Sequence, residues 1–131
     1  MIVVDTNIIA YLYLSGKSSR QAEQLLLHDT HWCAPVLWRS EFRSVLSQYL
    51  RKNILDFDDI LLILEQAENL LGDYEYEVPS AQIMELVASS SCSSFDCEFV
   101  ALARHLGVPL ITADKKLLQE FPEFTQPLPS L

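Results

Sequence analysis

Four acidic residues sit where packing alone does not call for a charge. In the opening stretch MIVVDTNIIAYLYL, Asp5 interrupts two apolar segments, Ile2–Val4 and Ile8–Leu14. A buried, unpaired carboxylate costs several kcal/mol, so Asp5 is either paired or binds something. Asp114 stands in LITADKKL, just after another apolar strand-like run. Asp96 lies in SFDCEFVALARHL. On a helical wheel with Asp96 at zero, Val100 falls at about 40°, Ala103 at about 340° and Phe99 at about 300°, so Asp96 is inside the apolar stripe. Glu98, Arg104 and His105 fall on the side read as solvated. Glu41 is a milder case, at the edge of its stripe and one turn from Leu37 and Val45.

Taken singly, each has a plainer use. Asp5 can form a turn with Asn7 as its helper, and Asp96 and Asp114 can cap or complement helix N-termini. Glu41, with Arg39 and Arg43 near in sequence, reads better alone as half of a surface ion pair. Together they say more, because each sits at or near the junction of an apolar element and an end of a sheet. Two unit charges 4 Å apart repel by about 4 kcal/mol at an effective dielectric of 20. Such a cluster persists if it binds cations, and ligands that are all oxygen select Mg²⁺ or Mn²⁺. No His, Cys or Ser nucleophile constellation competes with this, and His28, His31 and His105 read as ordinary polar positions.

The elements that must position these side chains alternate between strand and helix. Strands are expected at Ile2–Val4, at His31–Ala34 (stopped by Pro35), at Tyr74–Val78 as a half-buried or edge strand, and at Val108–Thr112. Helices are expected over Ile8–Leu14, after a Ser18–Gln21 capping box, from Pro35 to about Lys52, from an Asp56 cap to Gly72, and from a Ser80 cap to about Ser89. Two more are expected from Ser93 or Ser94 to Gly107 and over Lys115–Glu120. The serine-rich Ser89–Ser94 reads as a loop, and TQPLPSL as irregular with room for one short edge strand. Alternation of this kind predicts a single α/β domain with a mainly parallel sheet flanked by helices. In such sheets ligands bind beyond the carboxyl ends of the strands, which is where Asp5 and Asp114 fall.

Bulk properties narrow the function. The chain has 131 residues, half of them hydrophobic, which suits one domain with one core. No apolar run is long enough to span a membrane, and no secretion signal is expected at the N-terminus. Cys33, Cys92 and Cys97 lack CxxC spacing and fit reduced thiols and a cytoplasmic setting. The net charge of −9 excludes nucleic-acid binding through a broad basic surface. It leaves room for a nucleic-acid enzyme whose positive charge comes from bound cations, and it suits a basic protein partner.

Three segments, IVVDTNIIAYL, APVLWRSEFRSVL and SFDCEFVALARHLGVPLITADKKL, together resemble the PIN-domain family, specifically the VapC-like ribonucleases of toxin–antitoxin pairs. They lie in family order over nearly the whole chain, leaving Lys52–Tyr76 uncovered. The resemblance implies a parallel sheet flanked by helices. It places Asp5, Glu41, Asp96 and Asp114 in an acidic metal-binding quartet, gives Thr112 a hydrogen bond to a carboxylate or a metal-bound water, and gives Asn7 the task of orienting Asp5. It implies Mg²⁺- or Mn²⁺-dependent hydrolysis of RNA phosphodiester bonds, a homodimer, and a small antitoxin with a basic segment. Lys17, Arg20, Arg39, Arg43, Lys115 and Lys116 are then candidates for the RNA backbone, although scattered surface charge explains most of them as well.

Other readings fit less well. A haloacid-dehalogenase-like phosphatase needs a second Asp two residues after the first, and Asn7 stands there. A response-regulator receiver needs an acidic pair after its first strand, and Thr6 follows Asp5. A PIN-like binding module that has lost activity is the non-enzymatic alternative, and the complete quartet argues against it.

Overall fold

A computed structural model describes all residues from Met1 to Leu131. Five parallel strands form one sheet in the order β3-β2-β1-β4-β5, flanked by seven helices. The strands are β1 (Ile2–Val4), β2 (Trp32–Pro35), β3 (Glu75–Tyr76), β4 (Leu110–Ile111) and β5 (Thr125–Gln126). The helices are α1 (Thr6–Tyr13), α2 (Ser19–His28), α3 (Trp38–Arg51), α4 (Phe57–Leu71), α5 (Ser80–Ala88), α6 (Ser94–Leu106) and α7 (Lys115–Glu120). The α/β class expected from the alternation of elements is the one observed. No helix is long and apolar enough to cross a membrane.

The central strand β1 is fully enclosed. Val3 pairs with Cys33 of β2 on one side and with Leu110 of β4 on the other. Val3, Val4, Trp32, Trp38, Phe42, Phe99 and Leu110 lose all or nearly all contact with water. Strands buried on both faces need continuous apolar runs, as IVV and WCA are. Chain direction across the sheet reverses beside β1, because the chain moves outward first through β2 and β3 and then through β4 and β5. The crevice between the ends of β1 and β4 is thus the topological switch point, the place where open parallel sheets bind ligands.

Several local expectations are corrected. The first helix starts at Thr6 rather than Ile8, with Asp5 itself as N-cap. The Ser18–Gln21 capping box does not form. Ser18 has ψ near 0°, not the extended backbone a cap needs, and its side chain makes no capping bond. Pro35 does not stop β2 but is its last paired residue, opposite Tyr76, and the next N–H, of Val36, donates to Tyr76 O at 3.1 Å. Ser80 is the first residue of α5 rather than its cap, a position taken by Pro79. Gly72 caps the end of α4 as expected and also begins a 3-10 turn, Gly72–Tyr74. Two other signals act as read: Asp56 and Asp59 form a reciprocal capping box, and Gly107 closes α6 at φ 68°, where a side chain would be strained. The ending supplies the short edge strand, β5, hydrogen-bonded to β4 through Leu110 N to Phe124 O and Thr112 N to Gln126 O.

Candidate functional site

Asp5 leaves the end of β1 with its backbone N–H donating to Ile111 O at 3.0 Å, which fixes it against β4. Its carboxylate accepts from Thr6 N at 2.8 Å, from Thr112 Oγ1 at 2.7 Å and more weakly from Asn7 Nδ2 at 3.4 Å. Asn7 also accepts from Ala113 N at 3.3 Å, so it ties the first turn of α1 to the segment after β4. Thr112, itself fully buried, accepts from Asp114 N at 3.0 Å. Thr112 therefore links the Asp5 carboxylate to the backbone of Asp114 through a single hydroxyl.

Glu41 arrives from the first turn of α3. Thr6 Oγ1 donates to Glu41 Oε1 at 2.7 Å, so Thr6 bridges Asp5 and Glu41 by its backbone and its side chain. The ion pair considered for Glu41 does not exist. Arg39 is engaged by Glu75 and Glu68, and Arg43 donates to Ser40 Oγ. Residues two apart point to different sides of a helix, which is why proximity in sequence misled here. Asp96 comes from the first turn of α6, whose cap is Ser93; the Asp96 amide donates to Ser93 Oγ at 3.1 Å. Asp114 is a true N-cap, accepting from Lys116 N and Leu117 N through Oδ1.

These four side chains line one open cleft of about 360 Å³, together with Thr6, Asn7, Ser44 and Val45. Its lining contains no Lys or Arg, and none of the four acids is in a salt bridge. Burial pushes the Asp5 carboxyl up to about 6; Thr112 and Thr6 pull it down, and the charges of Asp96 and Glu41 push it up. Glu41 and Asp96 are raised too, each first by burial. Asp96 then repels Glu41, and Asp114 repels Asp96, while Lys116 partly offsets the latter. Burial and neighbouring acids thus raise Asp5, Glu41 and Asp96 in a cleft whose lining carries no Lys or Arg, an electrostatic setting that favours an added cation.

The donor set suits a hard divalent ion, being all oxygen. No group of three acidic side chains is drawn together closely enough to chelate an ion unaided.

The sequence reading missed four features of the site. Thr6 is the hydroxyl between Asp5 and Glu41; its signal was the helix start, placed two residues late. Ser44 lies one turn beyond Glu41 on the same face. Glu98, read as solvated, is half-buried, with its carboxyl raised first by burial and then by Glu41. The fourth is a staple between the segment before α6 and α7. Glu120 accepts from Ser91 N at 2.9 Å and Ser91 Oγ at 2.8 Å, and Lys116 Nζ donates to Ser91 O at 2.7 Å. It holds the element bearing Asp114 against the lead-in to Asp96.

An all-parallel α/β sheet with an acidic cleft at its switch point is the class that fold and cleft define. Within it, residues 2–122 match the PIN domain model, and the chain belongs to that family. The resemblance drawn from the three motif segments is thereby upheld. Ribonuclease VapC3 of Pyrobaculum aerophilum is 27% identical over 129 residues, covering 96% of this chain and 98% of that protein. A crystal structure of another Pyrobaculum aerophilum protein superposes with a TM-score of 0.76 at 16% identity, covering 97% of this chain and 83% of that one. A chain from a toxin–antitoxin complex of Klebsiella pneumoniae superposes with a TM-score of 0.73 at 17% identity, each chain covered completely. At those identities the two structures speak for the fold.

Proposed function

We propose that this protein is a Mg²⁺- or Mn²⁺-dependent endoribonuclease and the toxin of a toxin–antitoxin pair. The observation that carries the reading is the cleft at the switch point, lined by Asp5, Glu41, Asp96 and Asp114 with no Lys or Arg, where burial and neighbouring acids raise the first three. Similarity to Ribonuclease VapC3 supports the substrate class.

Asp5, Glu41 and Asp96 would hold the main ion directly or through water, and Asp114 would support it or complete a second site. When bound, the ion supplies positive charge to the phosphodiester and acidity to a water. The chain supplies position. Thr112 and Thr6 hold the Asp5 carboxylate from two directions, and Thr6 fixes Glu41 in the same frame. Without a cation, a chain of charge −9 repels RNA from this cleft.

The same reading includes partners. Ile54, Phe57, Leu61 and Leu62, on or just before α4, leave large apolar side chains about half-exposed, a patch of the kind a partner protein covers. A homodimer and a small antitoxin whose basic segment enters the acidic cleft would account for the patch and the charge. A cytoplasmic setting fits the three free, buried cysteines Cys33, Cys92 and Cys97.

The test is incubation with single-stranded RNA in Mg²⁺ or Mn²⁺, with EDTA and Asp96→Asn as controls. Internal cleavage that needs metal and Asp96 is the expected result. Cleavage undiminished in EDTA overturns the metal reading, and no cleavage under any condition leaves a silent PIN-like binding module. Light scattering showing a strict monomer would remove the homodimer.

A further inference from the structure

The acidic cleft does not end at the acids. A second cavity of about 360 Å³ continues it along the same two helices. α1 lines the cleft with Thr6 and Asn7, and then the second cavity with Ala10 and Tyr11; α3 lines the cleft with Glu41, and then the second cavity with Tyr49. Val45 forms part of both walls, so the two cavities adjoin. Glu41 and Tyr49 lie about 12 Å apart along the helix axis. The far end is closed by the loop between α1 and α2, which contains Lys17.

This second cavity has the opposite chemistry from the first. Lys17 is the sole cationic side chain lining either cavity, and it forms no salt bridge in a chain with twice as many acidic as basic residues. Tyr11 and Tyr49 are half-buried, so their rings are held in the wall, while Tyr13 alone among the three tyrosines of this region spends its hydroxyl inside the chain, on Gln66 O. An ammonium beside two fixed aromatic rings matches a phosphate and an unpaired base. Base-paired RNA offers no ring face to such a wall.

We infer that this cavity is a nucleotide subsite, which takes a nucleotide neighbouring the scissile bond in single-stranded RNA, with Lys17 on its phosphate and Tyr11 and Tyr49 against its base. The inference rests on the ribonuclease reading and deepens it by naming the residues that select the substrate. It also gives the acidic cleft a guide: a polyanion anchored at Lys17 is led along α1 and α3 towards Asp5 and Glu41.

The experiment measures cleavage by the wild type, Lys17→Ala and Tyr49→Leu on a short single-stranded oligoribonucleotide. In parallel, fluorescence anisotropy measures binding of the same oligomer to Asp96→Asn alone and combined in turn with Lys17→Ala, Tyr49→Leu and Tyr49→Phe, over a range of salt. Removing the ammonium should raise KM several-fold, change kcat less, and make the salt slope of binding shallower by about 0.7. Tyr49→Leu should weaken binding about fivefold or more, and Tyr49→Phe should restore most of it. Lys17 is exposed, so its variant tests the site without disturbing the core. A wild type that cleaves while Lys17→Ala keeps its KM, affinity and salt slope overturns the subsite and leaves the activity standing. Salt-sensitive, Lys17-dependent binding by a protein that never cleaves supports the subsite and overturns the ribonuclease reading. Absence of binding in every variant overturns both.

Discussion

Thr112 donates its hydroxyl proton to Asp5 across 107 residues of sequence, at 2.7 Å, and the same oxygen accepts from Asp114 N at 3.0 Å. One fully buried hydroxyl thus holds the carboxylate after β1 and the backbone of the carboxylate after β4. Thr112→Val keeps the shape and removes both bonds. It leaves a buried carboxylate short of a donor and an N–H without its acceptor, which costs about 1–3 kcal/mol. Urea denaturation at neutral pH should show that loss, and Thr112→Ser should recover most of it. A change within about 0.5 kcal/mol, typical of neutral surface substitutions, would sink the claim that this hydroxyl organises the site.

The raised Asp5 carboxyl carries a pH signature. In the folded protein it titrates at about 6, against 3.8 for the ordinary group. Below 3.8 it is protonated in both states, and between 3.8 and about 6 the folded state holds the extra proton. Its contribution to stability therefore falls as pH rises through that window and is constant above it. The full span is on the order of 3 kcal/mol. Glu41 and Asp96 act in the same direction, and Glu75, lowered by Arg39, acts against them. Stability curves in EDTA for the wild type and Asp5→Asn isolate the one group: Asn should gain relative to the wild type from pH 4 to 6 and then hold its advantage. A pH-independent difference would contradict the burial of an ionisable Asp5.

Arg39 illustrates what sequence could and could not show. As an arginine near an acidic residue in an RNA-enzyme-like chain it invited a role on the RNA backbone or an ion pair to Glu41. The fold does not give it the ion pair to Glu41. It grips Glu75 with two bonds at 2.6 and 2.7 Å, takes Glu68 at 2.6 Å, and lies 5.7 Å from the centre of the Trp38 ring, whose Nε1 also donates to Glu75. Those partners come from α4 and β3, which no local pattern could pair with it. Asp5 and Asp114, by contrast, were legible because apolar runs mark strands and strand ends mark a ligand rim. Asp96 was legible because a charge inside an apolar stripe violates helical periodicity. Glu98 was misread by the same wheel, because its neighbour Glu41 comes from α3, which a wheel drawn for α6 alone does not include.

The Arg39 cluster predicts a stability defect without a catalytic one. Arg39→Ala should cost about 1–2 kcal/mol, discounted because Arg39 is one-third exposed. Arg39→Lys should recover only part, since an ammonium cannot make the paired bonds. Glu75 is held below its ordinary range, chiefly by Arg39, so its contribution is present above that range and is lost as pH falls. The gap between the wild type and Arg39→Ala should therefore narrow from pH 7 towards pH 4. A gap that widens instead would show that the cluster is not held by charge.

Asp96→Asn sets function against stability most directly. Asp96 is half-buried, raised first by burial and then by Asp114, and it in turn raises Asp5 and Glu41. Replacing it by Asn keeps the size and removes one charge from the cleft. The metal-free protein should then be as stable as the wild type or more so, because repulsion among the acids is relieved. RNA cleavage should be lost with the ligand. Mg²⁺ should raise the Tm of the wild type by mass action and that of the variant by less, since a ligand that binds only the folded state stabilises it according to its affinity. If Asp96 served the N-terminus of α6 alone, its loss would be neutral or destabilising, and Mg²⁺ would not distinguish the two proteins. Thermal melts of both, in EDTA and in Mg²⁺, separate these cases. A lowered metal-free Tm together with retained cleavage would remove Asp96 from the metal site and leave it a structural acid at the start of a helix.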